Sequence, residues 1–259
     1  MELPDVLGLY KGQDPRRLEL CVRFPQPIID RDEKAQMSES PTNVVSQKNA
    51  DHEIVAFDFD GTITTKDTFA LFLRYYAGTP RWLGNIARLM PTFISYKLGR
   101  IDRHAVKAAV VHRFFAGRSI ERIESMAESF ARDVIPRYIR PAALAHVKAK
   151  LADANIGPDS LYMCSASIGP YLRYWARSTG IHPAHVMATE LESDGATASG
   201  GLKGYNVWGA NKVRRIFDQF APQSVKILEA YGDTRGDWEM LHAAEASYFR
   251  PFRVSPISN

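Results

Sequence analysis

Cysteine is scarce: the 259 residues hold only Cys21 and Cys164. Two cysteines fit neither a metal-ligand spacing nor a disulfide framework, which excludes a disulfide-stapled scaffold and makes a reducing cytoplasm the expected compartment. Long apolar runs are missing too. The best of them, from Trp82 to Leu98, is broken by Arg88 and Pro91 and is a poor bilayer span. The N-terminus carries Glu2 and Asp5 in place of a basic region, and no apolar segment follows, so no secretory signal is expected. A strong charge imbalance is also absent. The 33 basic and 29 acidic residues leave +4, which by itself points to no nucleic-acid partner. What remains, 45% hydrophobic and 24% charged, is an ordinary globular composition that excludes global disorder and a polytopic membrane protein.

The first fifty residues alternate charges with Pro4, Pro15, Pro25, Pro27 and Pro41, and the stretch from Gln36 to Lys48 is polar. No helical or strand period persists there, so residues 1–50 are expected to be a flexible arm, with Met37 an alternative start. At Glu53 the texture changes. The run from Glu53 to Gly61 is apolar and β-prone and ends in Asp58, Asp60 and the glycine. Two further runs, Leu161 to Ser165 and Val225 to Asp233, have the same character, each ending in polar residues before an expected helix. Strands alternating with helices predict an α/β fold with a doubly wound parallel sheet, whose ligands sit at the carboxyl ends of the strands.

About a hundred residues separate the first two strands, far more than the ~10–12 of a minimal crossover, so an inserted helical subdomain is expected. Phe69, Phe72, Leu73 and Tyr76 share one helical face, and Ile120, Ile123, Ala127 and Phe130 share another behind Ser119, a plausible N-cap. The glycine-rich stretch from Gly195 to Gly204 predicts a loop or hairpin. A helix bearing Val213, Ile216, Phe217 and Phe220 follows it. The expected division is a core of 51–67 and 155–259 with a helical cap of 68–154.

Asp58 and Asp60, two apart on a strand, are expected to project to one side. Two carboxylates so close repel unless a divalent cation or a lysine offsets them, and hard Mg²⁺ prefers oxygen ligands. Ser165, before a helix, can hold a phosphate oxygen or act as an ordinary N-cap. Lys212, at the start of an amphipathic helix, can place an ammonium beside the carboxylates or lie on a solvated face. Asp233 and Asp237 supply two more acids or a turn with its cap.

In this order the four elements resemble the haloacid dehalogenase superfamily. Asp58-Phe59-Asp60-Gly61-Thr62 is similar to its first motif, Ser165 to its second, Lys212 to its third (with Lys203 a rival) and Asp233 with Asp237 to its fourth. The insert is similar to a C1 cap. The context Gly209 to Arg215 resembles subfamily IB, which includes phosphoserine phosphatases. The resemblance implies a Mg²⁺-dependent phosphomonoester hydrolase with Asp58 as nucleophile, Asp60 as general acid and base, and Lys212 as charge-offsetting catalytic residue. It places the metal on Asp58, the backbone carbonyl of Asp60, Asp233 and Asp237, and the phosphate on Thr62 and Ser165. An acid at Asp60 sets the chain apart from dehalogenases. Asp67 stands where the phosphoserine branch has a glutamate for the substrate's ammonium, which makes phosphoserine a weaker candidate.

The pattern from Asp67 to Tyr75 and the closing Phe249 to Arg253 resemble the branch with phosphatidylglycerophosphatase C and CicA-like proteins, implying a lipid phosphate substrate. One local absence points the same way. Between Thr68 and Ile101 there is no acidic residue, against Arg74, Arg81, Arg88, Lys97 and Arg100 and seven aromatic residues. Basic side chains attract anionic headgroups and aromatic ones favour the headgroup boundary, so residues 68–101 are expected either to touch a membrane peripherally, at its cytoplasmic face, or to pack their aromatic residues inside the cap with the arginines solvated around it. The alternatives are a soluble small-metabolite phosphatase and a non-catalytic module that has kept the fold.

Overall fold

A computed structural model describes residues 50–253. The readings of a flexible arm and of a start at Met37 lie outside the described residues. Six strands form one sheet: β1 (His52–Phe57), β2 (Leu161–Ile168), β3 (Val186–Asp194), β4 (Thr197–Lys203), β5 (Val225–Gly232) and β6 (Ala244–Phe249), in the order β4-β3-β2-β1-β5-β6. All neighbours are parallel except β3 and β4, which make an antiparallel hairpin at one edge. The glycine-rich stretch is therefore mostly strand, with its turn at Gly195. β3 and β6 are not among the runs expected from the sequence.

β1 reads as continuous apolar sequence because both of its faces are covered. Val55 and Phe57 enter one hydrophobic cluster, while Ile54 and Ala56 enter a second on the other face with Cys164, Ile216, Phe220 and Met240. The chain leaves β1 toward β2 and β3 and later returns to β5 and β6 on the other side. The switch point lies between β1 and β5, and sheets of this kind bind their ligands beyond the strand ends at that point.

Five helices lie between β1 and β2: α1 (Thr68–Ala77), α2 (Thr79–Lys97), α3 (Arg103–Phe115), α4 (Ile120–Asp133) and α5 (Pro141–Ala152). Their caps follow the sequence locally. Asp67, Asp102 and Ser119 accept hydrogen bonds from Ala70 N, Ala105 N and Arg122 N at the starts of α1, α3 and α4. The insert shares a hydrophobic cluster with the sheet: Phe72 of α1 meets Phe115, Phe130 and also Tyr171. Tyr171 belongs to α6 (Gly169–Thr179), which joins β2 to β3. Before β5 comes α7 (Ala210–Phe220), and α8 (Trp238–His242) lies between β5 and β6. On α7, Ile216 and Phe220 are buried, but Phe217 is half exposed and does not belong to the inward face expected for it.

Candidate active site

β1 ends at Phe57, so Asp58 and Asp60 lie in the turn beyond it. The strand alternation expected to aim them to one side does not extend that far. Asp58 N still donates to Tyr231 O at 2.9 Å, which fixes this residue beside β5. Gly61 then turns the chain at φ 84°. A Cβ there would lie 2.3 Å from Asp233 Oδ2, so the turn and the fourth acidic element approach as closely as they do only because residue 61 is glycine. Thr62 Oγ1 donates to Asp58 Oδ2 at 3.1 Å.

Asp60 points into a different network. Its Oδ1 accepts from Thr68 N at 2.8 Å and Thr68 Oγ1 at 2.5 Å, and its Oδ2 accepts from Ser167 Oγ. Burial pushes its carboxyl up to about 6, helped by the negative charge of Asp67 and opposed by the Ser167 and Thr68 hydrogen bonds. A proton at Asp60 is thus exchangeable near neutral pH.

Lys212 opens on the first turn of α7, after Gly209 at φ 63°. Its ammonium donates to Asp58 Oδ1 at 2.6 Å, Asp237 Oδ1 at 2.6 Å and the Cys164 carbonyl at 2.7 Å, so all three N–H bonds are used. Burial works against this charge, but Asp237 and Asp58 hold it above its ordinary value. Asp237 Oδ2 accepts from Asp233 N, Thr234 N and Thr234 Oγ1. Despite burial, Lys212 and these bonds keep its carboxyl below the usual range. Asp58 is driven the other way, first by burial and then by the charge of Asp237.

One carboxylate oxygen from each of Asp58, Asp233 and Asp237 lies within 4.8 Å of the others. Asp233 Oδ1 is buried with no hydrogen-bond partner among the described residues, while its Oδ2 pairs with Arg253 at 2.7 Å. Three buried carboxylates around one lysine leave an excess of negative charge and one orphaned oxygen. A divalent cation with oxygen ligands fits both. The carboxylate of Asp60 is not in this cluster.

Ser165 is buried inside β2, and its Oγ accepts from Ser167 N at 3.1 Å. It is not an N-cap, because α6 begins after Ile168. Asp67 is exposed and one oxygen is taken by the cap of α1. Lys203 is exposed on β4, away from these partners, and Lys212 holds the position for which they were rivals.

Some residues at the site were not anticipated. Lys107 of α3 sits 3.2 Å from the centroid of Phe69, next to Thr68, with its ammonium pushed down to about 8 by burial against the pull of Asp67 and Asp60. One turn earlier Arg103 stacks on Trp208 at 4.3 Å, so α3 reaches over the loop before α7. Arg250, at φ 57°, donates from Nε to Asp233 O at 3.0 Å, and Arg253 holds the Asp233 carboxylate. Two arginines three apart in the closing Phe249 to Arg253 segment were a readable signal for this clamp. For Lys107 there was none.

The family described as haloacid dehalogenase-like hydrolase matches residues 55–242. Protein CicA of Caulobacter vibrioides is 38% identical over 210 residues, covering 78% of this chain and 88% of that protein. A solved structure of a protein with unknown function from Bordetella pertussis is similar with a TM-score of 0.64 at 21% identity, covering 76% of this chain and 88% of that one. A phosphoserine phosphohydrolase-like protein from Francisella tularensis has a TM-score of 0.50 at 15% identity over 76% of this chain and 85% of its own. At those identities the two structures speak for the fold alone.

Proposed function

Because the chain belongs to the haloacid dehalogenase-like hydrolase family, we propose that it is a Mg²⁺-dependent phosphomonoester hydrolase acting through an aspartyl-phosphate on Asp58. The observation that carries this reading is the division of labour between two carboxylates two residues apart. Asp58 is tied to Lys212 and kept in a negatively charged cluster, whereas Asp60 stands apart, bonded to Thr68 and Ser167, with its carboxyl pushed up to about 6 by burial.

In this reading an Asp58 oxygen attacks phosphorus as the ester P–O bond breaks, and Asp60 donates its proton to the leaving alkoxide. Asp60, now ionised, takes a proton from water, whose oxygen attacks the aspartyl-phosphate and releases inorganic phosphate. Lys212 offsets the charge of the transferring group. Thr62 and Ser165 contact phosphate oxygens. Asp58, Asp233 and the backbone carbonyl of Asp60 would hold Mg²⁺, with Asp237 orienting Lys212 and the Asp233 loop. When bound, the ion supplies positive charge against the phosphoryl oxygens.

The domain reading is a core of 51–67 and 155–259 with a cap of 68–154, whose α1 and α3 bring Thr68 and Lys107 to the leaving-group side. For the substrate, a phospholipid phosphate such as phosphatidylglycerophosphate at the inner face of the plasma membrane is the favoured class. The unpaired basic residues of 68–101 support it, together with the CicA likeness. A soluble ester such as phosphoserine is the alternative, and the capping role of Asp67 counts against it, because one carboxylate oxygen is already taken.

The test is phosphate release by the full chain with and without Mg²⁺, from phosphatidylglycerophosphate in mixed micelles, phosphoserine and several sugar phosphates. Asp58→Asn is expected to lower turnover at least ~10³-fold with folding intact, since it removes the nucleophile and relieves a crowded negative cluster. No hydrolysis of any ester, or full activity in Asp58→Asn, would defeat the proposal.

A further inference from the structure

α2 has two apolar faces. Trp82, Ile86 and Phe93 pack against the core cluster and Leu89 is buried in it. Leu83, Met90, Ile94 and Leu98 flank that face, about 110° around the helix from its centre, and are 46%, 44%, 52% and 60% exposed. With Ala87 between them their spacing is four, three, four and four, which at 3.6 residues per turn gathers them into a sector of about 80°. They are four of the seven large hydrophobic residues found exposed among the described residues. An outward helix face is ordinarily polar, and a continuous apolar stripe on it marks a surface that meets something else.

The charges around the stripe say what. Arg74, Arg81, Arg88, Lys97 and Arg100 are all exposed. Among the described residues none of them is paired with a carboxylate. Arg88 donates only to Gly84 O in its own helix, and Arg74 only to Thr79 Oγ1. A second copy of the chain docked stripe to stripe would bring two unpaired basic rims together, which like-charge repulsion disfavours. An anionic lipid surface satisfies both features at once.

We propose that the outward face of α2 is the surface by which this protein rests on an anionic membrane, with Leu83, Met90, Ile94 and Leu98 entering the headgroup boundary and the five basic residues contacting lipid phosphates. No helix among the described residues is long and apolar enough to cross a membrane, so α2 lies in the plane of the interface. The insertion is aliphatic. Trp82 and Phe93, expected from the sequence to lie at the headgroups, turn inward instead. The proposal deepens the lipid-phosphate reading, yet its test is separate from the phosphatase chemistry.

The experiment is co-sedimentation of the full chain with vesicles of phosphatidylglycerol and phosphatidylcholine, and of phosphatidylcholine alone, at low and high salt. Binding is expected only to the anionic vesicles, weakened by salt. It should fall at least ~10-fold in Ile94→Glu/Leu98→Glu and in Arg81→Glu/Arg88→Glu. Hydrolysis of p-nitrophenyl phosphate by both variants should match the parent, which shows that they fold. Wild-type protein that stays in solution would overturn the proposal, as would variants that bind undiminished. So would a wild-type dimer that Ile94→Glu/Leu98→Glu dissociates, because a second copy would then own the stripe. Vesicle binding by a chain that hydrolyses no ester would defeat the phosphatase reading and leave this surface standing.

Discussion

Two lysines, Lys212 buried beside the sheet and Lys107 half-buried in the helical insert, show how differently the two regions handle charge. Lys212 donates to two carboxylates and a carbonyl, and its charge is held more firmly than in water. Lys107 feels the charges of Asp67 and Asp60 without bonding to either, with the Phe69 ring as its near neighbour and no hydrogen bond among the described residues. Burial therefore pushes its ammonium down to about 8, and no bonded anion resists. The core closes its charges on itself, so its geometry is set before substrate arrives. The helical insert leaves one cation without a bonded anion, near Asp60, the residue that the proposed reaction uses to protonate the leaving alkoxide. A second anion on the leaving group is the natural occupant.

The largest effect should come from breaking the closed side. Lys212→Met strands Asp58 and Asp237 as buried neighbouring carboxylates, and removing one partner of a buried ion pair costs about 3–5 kcal/mol. Urea unfolding should show a loss of that order, and turnover should fall at least ~10²-fold through loss of transition-state charge stabilisation. A Lys212→Met protein as stable as its parent would mean that the cluster is not closed as described.

The open side should behave otherwise. Lys107→Met removes a desolvated charge without orphaning a bonded partner, so stability should change by less than about 1 kcal/mol. Its effect should appear in KM, rising about tenfold or more for esters whose leaving group carries an anion, with KM for p-nitrophenyl phosphate unchanged. Equal losses on both kinds of ester would assign Lys107 to the cap's structure and dissolve the contrast between the two lysines.

The same contrast explains what could be read from the sequence. β1, β2 and β5 were legible because a strand covered on both faces is an unbroken apolar run that stops at its functional residues. β4 is a glycine-rich edge strand and β6 is largely exposed, so neither carries that signature. Asp58, Thr62, Ser165, Lys212, Asp233 and Asp237 are buried at or near the site, because each lies close to the end of a strand or the start of a helix. Where local geometry intervened, the reading failed. The end of β1 at Phe57 and the turn at Gly61 send Asp58 and Asp60 to separate networks. Lys107 was invisible for another reason: in the run from Arg103 to Val111 a lysine reads as the solvated face of a helix. Only the packing of α3 over Phe69 makes it part of the site.

Lys150 tests whether pairing, more than burial, distinguishes these lysines. It lies on α5, the last helix before β2, and donates to Glu229 of β5 at 2.7 Å, with Tyr231 Oη on the other carboxylate oxygen. Burial raises the Glu229 carboxyl, but the Lys150 and Tyr231 hydrogen bonds outweigh it and leave the group below its ordinary value. A carboxyl depressed in the folded state adds stability above the unfolded pKa, which is lost as pH falls through the folded one. The pair is mostly shielded yet still touched by solvent, at 16% and 20% side-chain exposure, so its contribution is about 1 kcal/mol or less. Glu229→Gln should therefore lower stability slightly at pH 7 and flatten its decline below about pH 4.5, the ordinary glutamate value. Urea midpoints from pH 3 to 7 would measure it. If the decline is unchanged in Glu229→Gln, the pair contributes nothing between α5 and β5, and Lys150 belongs with the solvated lysines instead of between Lys107 and Lys212.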